Sequence, residues 1–559
     1  MAETFEELAD LSELGGRGAD EAGALRGVAR SVRALGEPVS AVCARGSLGE
    51  LPFVTTDIAA LLLELVQTGA VAQLEGLRAE IPSTLLDVLR VPGIGPKRAR
   101  SIWKALDVTS LGELAYACRE NRVRELPGFG ERTQERVLAA VTFLVEGAGH
   151  IVLARALEVG TTLCEALRDA GAHAEIAGEA RRGVEVVTEV VVVVGGVDVG
   201  EAHDVLALHP EVRTVSELSE HGFRVTTRER ISARVRVARA GELVAALIVE
   251  TGDALHVRWL AELARASGQD LAALTRRASS EAAVYRALGV TPVPPELREG
   301  AAPSVPSSLI NERDLSGVFH VHTQWSDGAG TILGACQAAQ RAGFAFVGIS
   351  DHSKAAGYAR GLDERRLADQ RGAVAAARRE LRGVTLLHGC EVDILADGSL
   401  DLDTQALLEL DFVIASVHSE LHQEADVMTR RLVRAVSNPL VTMLGHPTGR
   451  LLLARKGAAF DVRLVAEAAA KNETYLEING NPNRLDLSDV LIRRAAAAGA
   501  EFVINPDAHE PAAIVDARLG VRVARRAGLT ASEVLNAREP SAVFARLAAR
   551  RHRAAHHLA

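Results

Sequence analysis

Val318-Phe-His320-Val-His322-Thr-Gln-Trp-Ser-Asp327-Gly, followed after an apolar segment by Phe346-Val-Gly-Ile-Ser-Asp351-His352, is the stretch from which this fold is read. On a β-strand, side chains alternate between faces, so His320 and His322 project from the same side. Neutral imidazole is the commonest metal ligand, and Asp327 follows within five residues. The pattern reads as half of a metal site. Alone, it is also what an ordinary strand with two histidines looks like, so the deciding information lies downstream.

Beyond His352 the chain alternates apolar β-like runs with Ala-rich helical segments, the pattern of a parallel α/β arrangement. The runs end in polar residues: Asp351-His352, Gly389-Cys390-Glu391-Val-Asp393, Ser416-Val-His418, Gly445-His446-Pro447, Glu477-Ile-Asn479 and Asn505-Pro-Asp507-Ala-His509. In βα barrels the C-terminal strand ends converge on one face, where catalytic groups sit. This set resembles the PHP (polymerase and histidinol phosphatase) domain, a distorted seven-stranded βα barrel with a trinuclear metal centre. The family's ligand positions fall on His320, His322, Asp327, His352, Glu391, His418, His446, Asp507 and His509. The resemblance implies a phosphoesterase in which Glu391, Asp507, His320 and His322 carry the catalytic chemistry. Imidazole and carboxylate together suit divalent ions, with Mn²⁺ the first expectation and Zn²⁺ or Fe²⁺ the alternatives. Lys354, Arg360 and Arg450 follow metal-bearing strand ends and match basic positions of the family, which assigns them to phosphate. Cys390 reads as a small buried neighbour of Glu391. His388 and His422 fall outside the ligand pattern, His422 in a helix-like segment, and the Arg550–His557 stretch reads as a frayed basic tail.

The N-terminal third reads as helices. Leu89-Arg-Val-Pro-Gly93-Ile-Gly95-Pro-Lys97-Arg98 and Leu126-Pro-Gly128-Phe-Gly130-Glu each suggest a helix, a Gly-x-Gly turn and a second helix. Glycine lets the backbone approach a ligand, and the following helix N-terminus offers free N–H groups to an anion. One copy is also an ordinary helix–helix turn; two copies 35 positions apart read as tandem helix-hairpin-helix modules. They predict sequence-independent contact with the DNA backbone, aided by Lys97, Arg98, Arg100 and Lys104. The segment Leu51-Pro-Phe53-Val-Thr55, where a further hairpin is expected, lacks the glycines.

Between them, Gly178-Glu179-Ala-Arg181-Arg182-Gly-Val-Glu185-Val-Val-Thr-Glu189-Val-Val191 resembles the nucleotidyltransferase signature of family X DNA polymerases. Thr251-Gly252 and Pro294-Pro-Glu-Leu-Arg298 match the thumb of the bacterial members. The resemblance implies gap-filling polymerisation and a role in repair. The departures oppose polymerisation. Glu189 and Val191 stand where the family has Asp-x-Asp, Arg234 stands at the third carboxylate, and Glu179 replaces a serine that approaches the triphosphate. Two-metal phosphoryl transfer needs converging carboxylates. An added Arg and Glu repel metal and triphosphate by roughly 1 to 4 kcal/mol each. A shifted site using Glu185 and Glu189 is the alternative.

The expected organisation is multidomain, α+β and α/β. It comprises a helical domain (1–85), helix-hairpin-helix modules (86–150), a degenerate palm (151–245), a thumb-like subdomain (246–300), a linker (301–315) and the barrel (316–559). A length of 559 residues requires several cores. A net charge of −10 excludes a uniformly basic nucleic-acid binder, so DNA contact must be local. Five scattered cysteines without a Cys-x-x-Cys pair suit a reducing cytoplasm. The longest apolar run, 186–199, is interrupted by charge and glycine and is too short to span a bilayer. DNA is the expected partner, with no membrane, no nucleotide cofactor and no inferable protein partner. The leading expectation is a DNA 3′→5′ exonuclease; a proofreading polymerase, a small-molecule phosphoesterase and a DNA-end scaffold are the alternatives.

Overall fold

The computed structural model describes residues 1–35, 38–146, 149–229 and 231–558. The chain forms two compact units, Met1–Val145 and Glu146–Ala559. The first contains helices and no strand among its described residues. Both expected hairpins form. Gly93 (φ 90°) precedes the helix Pro96–Leu106, and Gly128 (φ 81°) precedes Glu131–Glu146. Nothing lies within 4 Å of a Cβ built on either glycine, so conformation rather than space requires them. At Leu51–Thr55 the chain also turns, using Phe53 (φ 69°, 58% exposed) in place of a glycine, and Thr55 caps the helix Thr56–Thr68. A phenyl ring thus projects where a bare backbone is needed for close approach to a ligand.

The second unit opens with a five-stranded sheet. Its strands are β1 (His173–Ala177), β2 (Val190–Gly195), β3 (Val212–Ser219), β4 (Gly222–Thr227) and β5 (Ser232–Val237), in the order β1-β2-β5-β4-β3. The longest apolar run of the sequence contains β2, whose six residues are all buried. Val190, Val192 and Val194 pack with the helix Leu153–Asp169, while Val191 and Val193 face Ala246 and Leu247. Ala246 and Leu247 belong to the helix Leu243–Thr251, which runs through the expected palm–thumb boundary. The next residue, Ile248, already joins the thumb cluster of Leu260, Val284 and Tyr285. The expected linker is also shorter than its composition suggests. From Leu309 onward it is packed, with Ile310 buried and its N–H donating to the Leu529 carbonyl.

The barrel follows as β6 (Gly317–Val318), β7 (Phe346–Ile349), β8 (Thr385–Asp393), β9 (Phe412–Ser416), β10 (Met443–Leu444), β11 (Tyr475–Asn479) and β12 (Phe502–Asn505). Each strand pairs in parallel with the next in chain order. An isolated bridge between Val321 and Ala508 joins the segments beyond the first and last strands and closes the ring. Phe319, Phe346, Phe412, Ile414, Met443 and Val503 fill the interior below the polar rim. Gly389 admits Phe412, whose ring atoms lie 2.4 Å from where a Cβ would stand. The C-terminus is not a frayed tail. The helix Pro540–Leu558 carries Arg550, which is buried and donates to the carbonyls of Asn472 and Glu473. Among the described residues, no single helix is long and apolar enough to cross a membrane.

Candidate metal centre

The barrel's strand exits converge on Glu391. This carboxylate, at the end of β8 and fully buried, lies within 2.9–3.6 Å of five imidazoles, those of His320, His322, His352, His418 and His446. A second group forms on one side, where His352 and His509 each place Nε2 3.5 Å from Asp327 Oδ2. On the other side, Asp507 Oδ1 lies 3.5 Å from His320 and 3.4 Å from His322. All nine residues expected as ligands therefore meet. Their donor atoms fall into overlapping groups: His322/Asp327/His352/His509, His320/His322/Glu391, His320/His446/Asp507 and His352/Glu391/His418. His320 and His322 lie just past β6, where the Val321 bridge to Ala508 keeps the extended alternation that puts both rings on one side. His446 (φ 23°) and Asp507 (φ 51°) hold left-handed backbone, the kind of strain that persists where the surroundings fix a functional side chain.

The donor chemistry fits divalent cations. Both oxygens of Glu391, Nε2 of His320, both ring nitrogens of His322 and Nδ1 of His352 are buried without hydrogen-bond partners, despite approaches as short as 2.9 Å. Buried polar atoms are normally satisfied, so lone pairs aimed at one another call for cations between them. Burial opposes ionisation of Glu391, yet His320, His418 and His352 hold its pKa well below the usual carboxylate range. His352 and His509 do the same for Asp327, and His320, His322 and Arg484 for Asp507, again against burial. Burial opposes charge on His418 too, but Asp393 and Glu391 carry it up to about 10. His322, buried between His509 and His352, is pushed down to about 3.

Several supporting residues escaped the sequence reading. Glu477 Oε1 lies 2.7 Å from His320 Nδ1 and its other oxygen accepts from the His446 backbone N–H, fixing which ring nitrogen His320 presents. Asp393 holds His418 Nδ1 at 3.1 Å. Asp351 accepts from Thr323, Ser326 and Gln370, pinning the loop that delivers Asp327. Arg484 places Nε 3.1 Å from Asp507 Oδ2. Glu477, Asp393 and Asp351 were visible as polar strand ends; Arg484, in the loop after β11, gave no such signal. His388 is engaged by Gln370 outside the centre, and burial lowers its pKa to about 4. Cys390 is buried, as expected, with its thiol directed at the Asp351 carbonyl. His422 lies in an exposed turn rather than a helix.

The expected phosphate grips are partly engaged elsewhere. Lys354 pairs with Glu364 at 2.6 Å, and Arg360 donates to the Ser326 carbonyl. Arg450 is turned to the Arg484 and Leu485 carbonyls and to Glu185. In the first unit Gly93, Gly95, Gly128, Gly130 and Lys97 are exposed, as an anion site requires. Arg98 instead ties the two hairpins together, donating to the carbonyls of Gly93 and Gly128.

At the sheet that matches a palm, the register pairs Val191 directly with Arg234. The Arg234 guanidinium reaches Glu189 at 2.8 Å and Glu250 at 2.9 Å, and Arg224 also pairs with Glu189. The one carboxylate at the Asp-x-Asp positions is thus neutralised from two sides. Glu179 folds back onto Thr188, accepting from its N–H and hydroxyl. Glu185, half of the alternative shifted site, pairs with Arg450.

Comparison with known proteins agrees with this division. Residues 319–481 match the PHP domain model, and residues 85–141 match a SAM-like helix-hairpin-helix tandem. The chain is 31% identical to the DNA polymerase/3′-5′ exonuclease PolX of Bacillus subtilis (strain 168), over 86% of this chain and 87% of that protein. A probable phosphatase of Thermoanaerobacter sp. (strain X514) is 29% identical over 28% of this chain and 66% of its own length.

Proposed function

This chain belongs to the DNA polymerase/3′-5′ exonuclease PolX family, and from that premise we propose that it is a metal-dependent 3′→5′ exonuclease of DNA whose palm no longer polymerises. The observation that carries the reading is Glu391, an ionised, buried carboxylate facing five imidazoles. Glu391 and the eight other expected ligands around it would hold three divalent ions, Mn²⁺ before Zn²⁺ or Fe²⁺. Such ions supply Lewis acidity toward a phosphodiester and a water made nucleophilic near neutral pH. The side chains do the rest. Glu477 and Asp393 hold His320 and His418 by Nδ1, so that Nε2 of each faces Glu391. No protein nucleophile is needed, and Cys390 is a poor one because burial holds its thiol pKa well above the usual range. The exposed Gly-x-Gly turns would hold the DNA backbone without regard to sequence.

Loss of polymerisation follows from Arg234. A guanidinium at the third carboxylate position, bonded to Glu189, occupies with positive charge the place where the reaction needs cations held by acids. Gapped, 5′-labelled DNA with Mn²⁺ and dNTPs tests both halves: products shorter than the primer are expected. Extension abolished by Glu189→Ala would show that the palm still works. The probable phosphatase relatives favour a second reading, a small-molecule phosphoesterase. Turnover of p-nitrophenyl phosphate with no attack on DNA would establish it.

A further inference from the structure

The polymerase-like motif contacts a loop of the barrel that borders the candidate metal centre. Arg450, in the loop after β10, donates from Nη2 to Glu185 Oε1 at 2.6 Å. Glu185 is the glutamate of the Arg182-Gly183-Val184-Glu185 signature, 265 residues before Arg450 in the sequence. The same guanidinium donates from Nε to the Arg484 carbonyl at 3.0 Å and from Nη2 to the Leu485 carbonyl. Thr448, two residues before Arg450, donates its N–H and hydroxyl to Asp486 at 3.0 and 2.9 Å. One short loop therefore holds the Arg484 and Leu485 carbonyls through Arg450 and the Asp486 side chain through Thr448. Arg484 in turn pairs by charge with Asp507 Oδ2 at 3.1 Å, an oxygen to which Asn479 Nδ2 donates. With Oδ2 held, Oδ1 is the oxygen that faces His320 and His322.

Glu185 is itself firmly anchored. Its carbonyl accepts from Leu153 N–H at 2.9 Å, and the adjacent Arg182 carbonyl accepts from Arg526 at 3.0 Å. Arg526 also binds Glu299 at 3.0 Å, and Glu299 binds Arg182 at 2.9 Å. A guanidinium is suited to this junction because its planar fork can serve a carboxylate and carbonyls at once, which an ammonium cannot do in one geometry.

We propose that Glu185 and Arg450 form a buttress that positions Arg484, and through it Asp507, so that the former nucleotidyltransferase motif now supports the nuclease centre. These are positioning residues, and the proposal rests on the reading of Asp507 as a metal ligand.

The test titrates Mn²⁺ into the metal-stripped full chain by calorimetry and measures kcat and KM on a single-stranded oligonucleotide. Glu185→Gln should weaken Mn²⁺ binding about threefold to tenfold, below the 10- to 100-fold typical of a residue bonded directly to a ligand. The kcat should fall in parallel while KM is unchanged. Arg450→Lys should do the same, and the double variant should lose less than the product of the two, as coupled residues do. If Glu185→Gln fails to fold, Arg450→Lys carries the same comparison. A merely structural contact would lower Tm and leave the Mn²⁺ affinity and kcat of the folded protein at wild-type values, and that result overturns the proposal. Asp507→Ala separates the premise from the inference. If it loses Mn²⁺ while the buttress variants keep it, the metal reading stands and the buttress is wrong; if it keeps wild-type affinity and activity, the premise fails and the buttress with it.

Discussion

At the scale of single residues, the centre is an arrangement of lone pairs. Asp393→Asn should weaken metal binding roughly 10- to 100-fold by freeing His418 to rotate, measured by Mn²⁺ titration. An unchanged affinity would mean that His418 is held by something else. Metal binding should also release protons, because His320 and His352, held well above the ordinary histidine pKa by Glu477, Glu391 and Asp327 against burial, and His418, carried up to about 10, must give theirs up. The sign follows: lowering the pH favours the protonated imidazoles and weakens binding. Calorimetry in buffers of different ionisation enthalpy should report that release. In the palm, Arg234→Ala should cost about 1 kcal/mol, since the ion pairs it breaks are only partly buried, and should create no polymerase activity. The residues that converge here could be picked out from sequence because His, Asp and Glu close successive apolar runs in the order of the PHP pattern. Arg484 could not, because it lies in a loop and meets Asp507 only in the fold, nor could the engagement of Arg450, whose partners are backbone carbonyls and an acid 265 residues away in sequence.

At the scale of elements, the hairpins are the proposed surface for DNA. Lys97, exposed at the start of the helix Pro96–Leu106, should contribute mainly charge. Lys97→Ala is expected to weaken DNA binding equally across sequences and to reduce the salt slope by about one. Arg98→Ala should instead loosen the pairing of the two turns and lower the stability of the first unit, which a thermal melt would register. A salt slope that fell for Arg98→Ala and not for Lys97→Ala would reverse these roles. Turn chemistry was readable where glycine marks it, and misleading where it does not. Phe53 makes its turn with φ 69°, which no propensity rule anticipates for an aromatic residue. Element boundaries were the harder part. The palm–thumb division falls inside the helix Leu243–Thr251 because that helix packs one face on each neighbour. The terminal helix was read as a tail because its anchor, Arg550, is a charged residue buried against carbonyls.

At the scale of the whole molecule, the proposed chemistry belongs to the barrel and the proposed DNA contact to the helical unit. Mn²⁺ should therefore stabilise the unit Glu146–Ala559 and leave the melting of Met1–Val145 where it is. The gain expected at one hundred times Kd is about 2.7 kcal/mol. The most direct test compares wild type with Glu391→Gln on gapped DNA carrying a 5′-labelled primer, with Mn²⁺ and dNTPs both present. The account predicts a descending ladder for the wild type, an intact strand for the variant, and no product longer than the input in either. Shortening that persists in Glu391→Gln, or lengthening by the wild type, would contradict it.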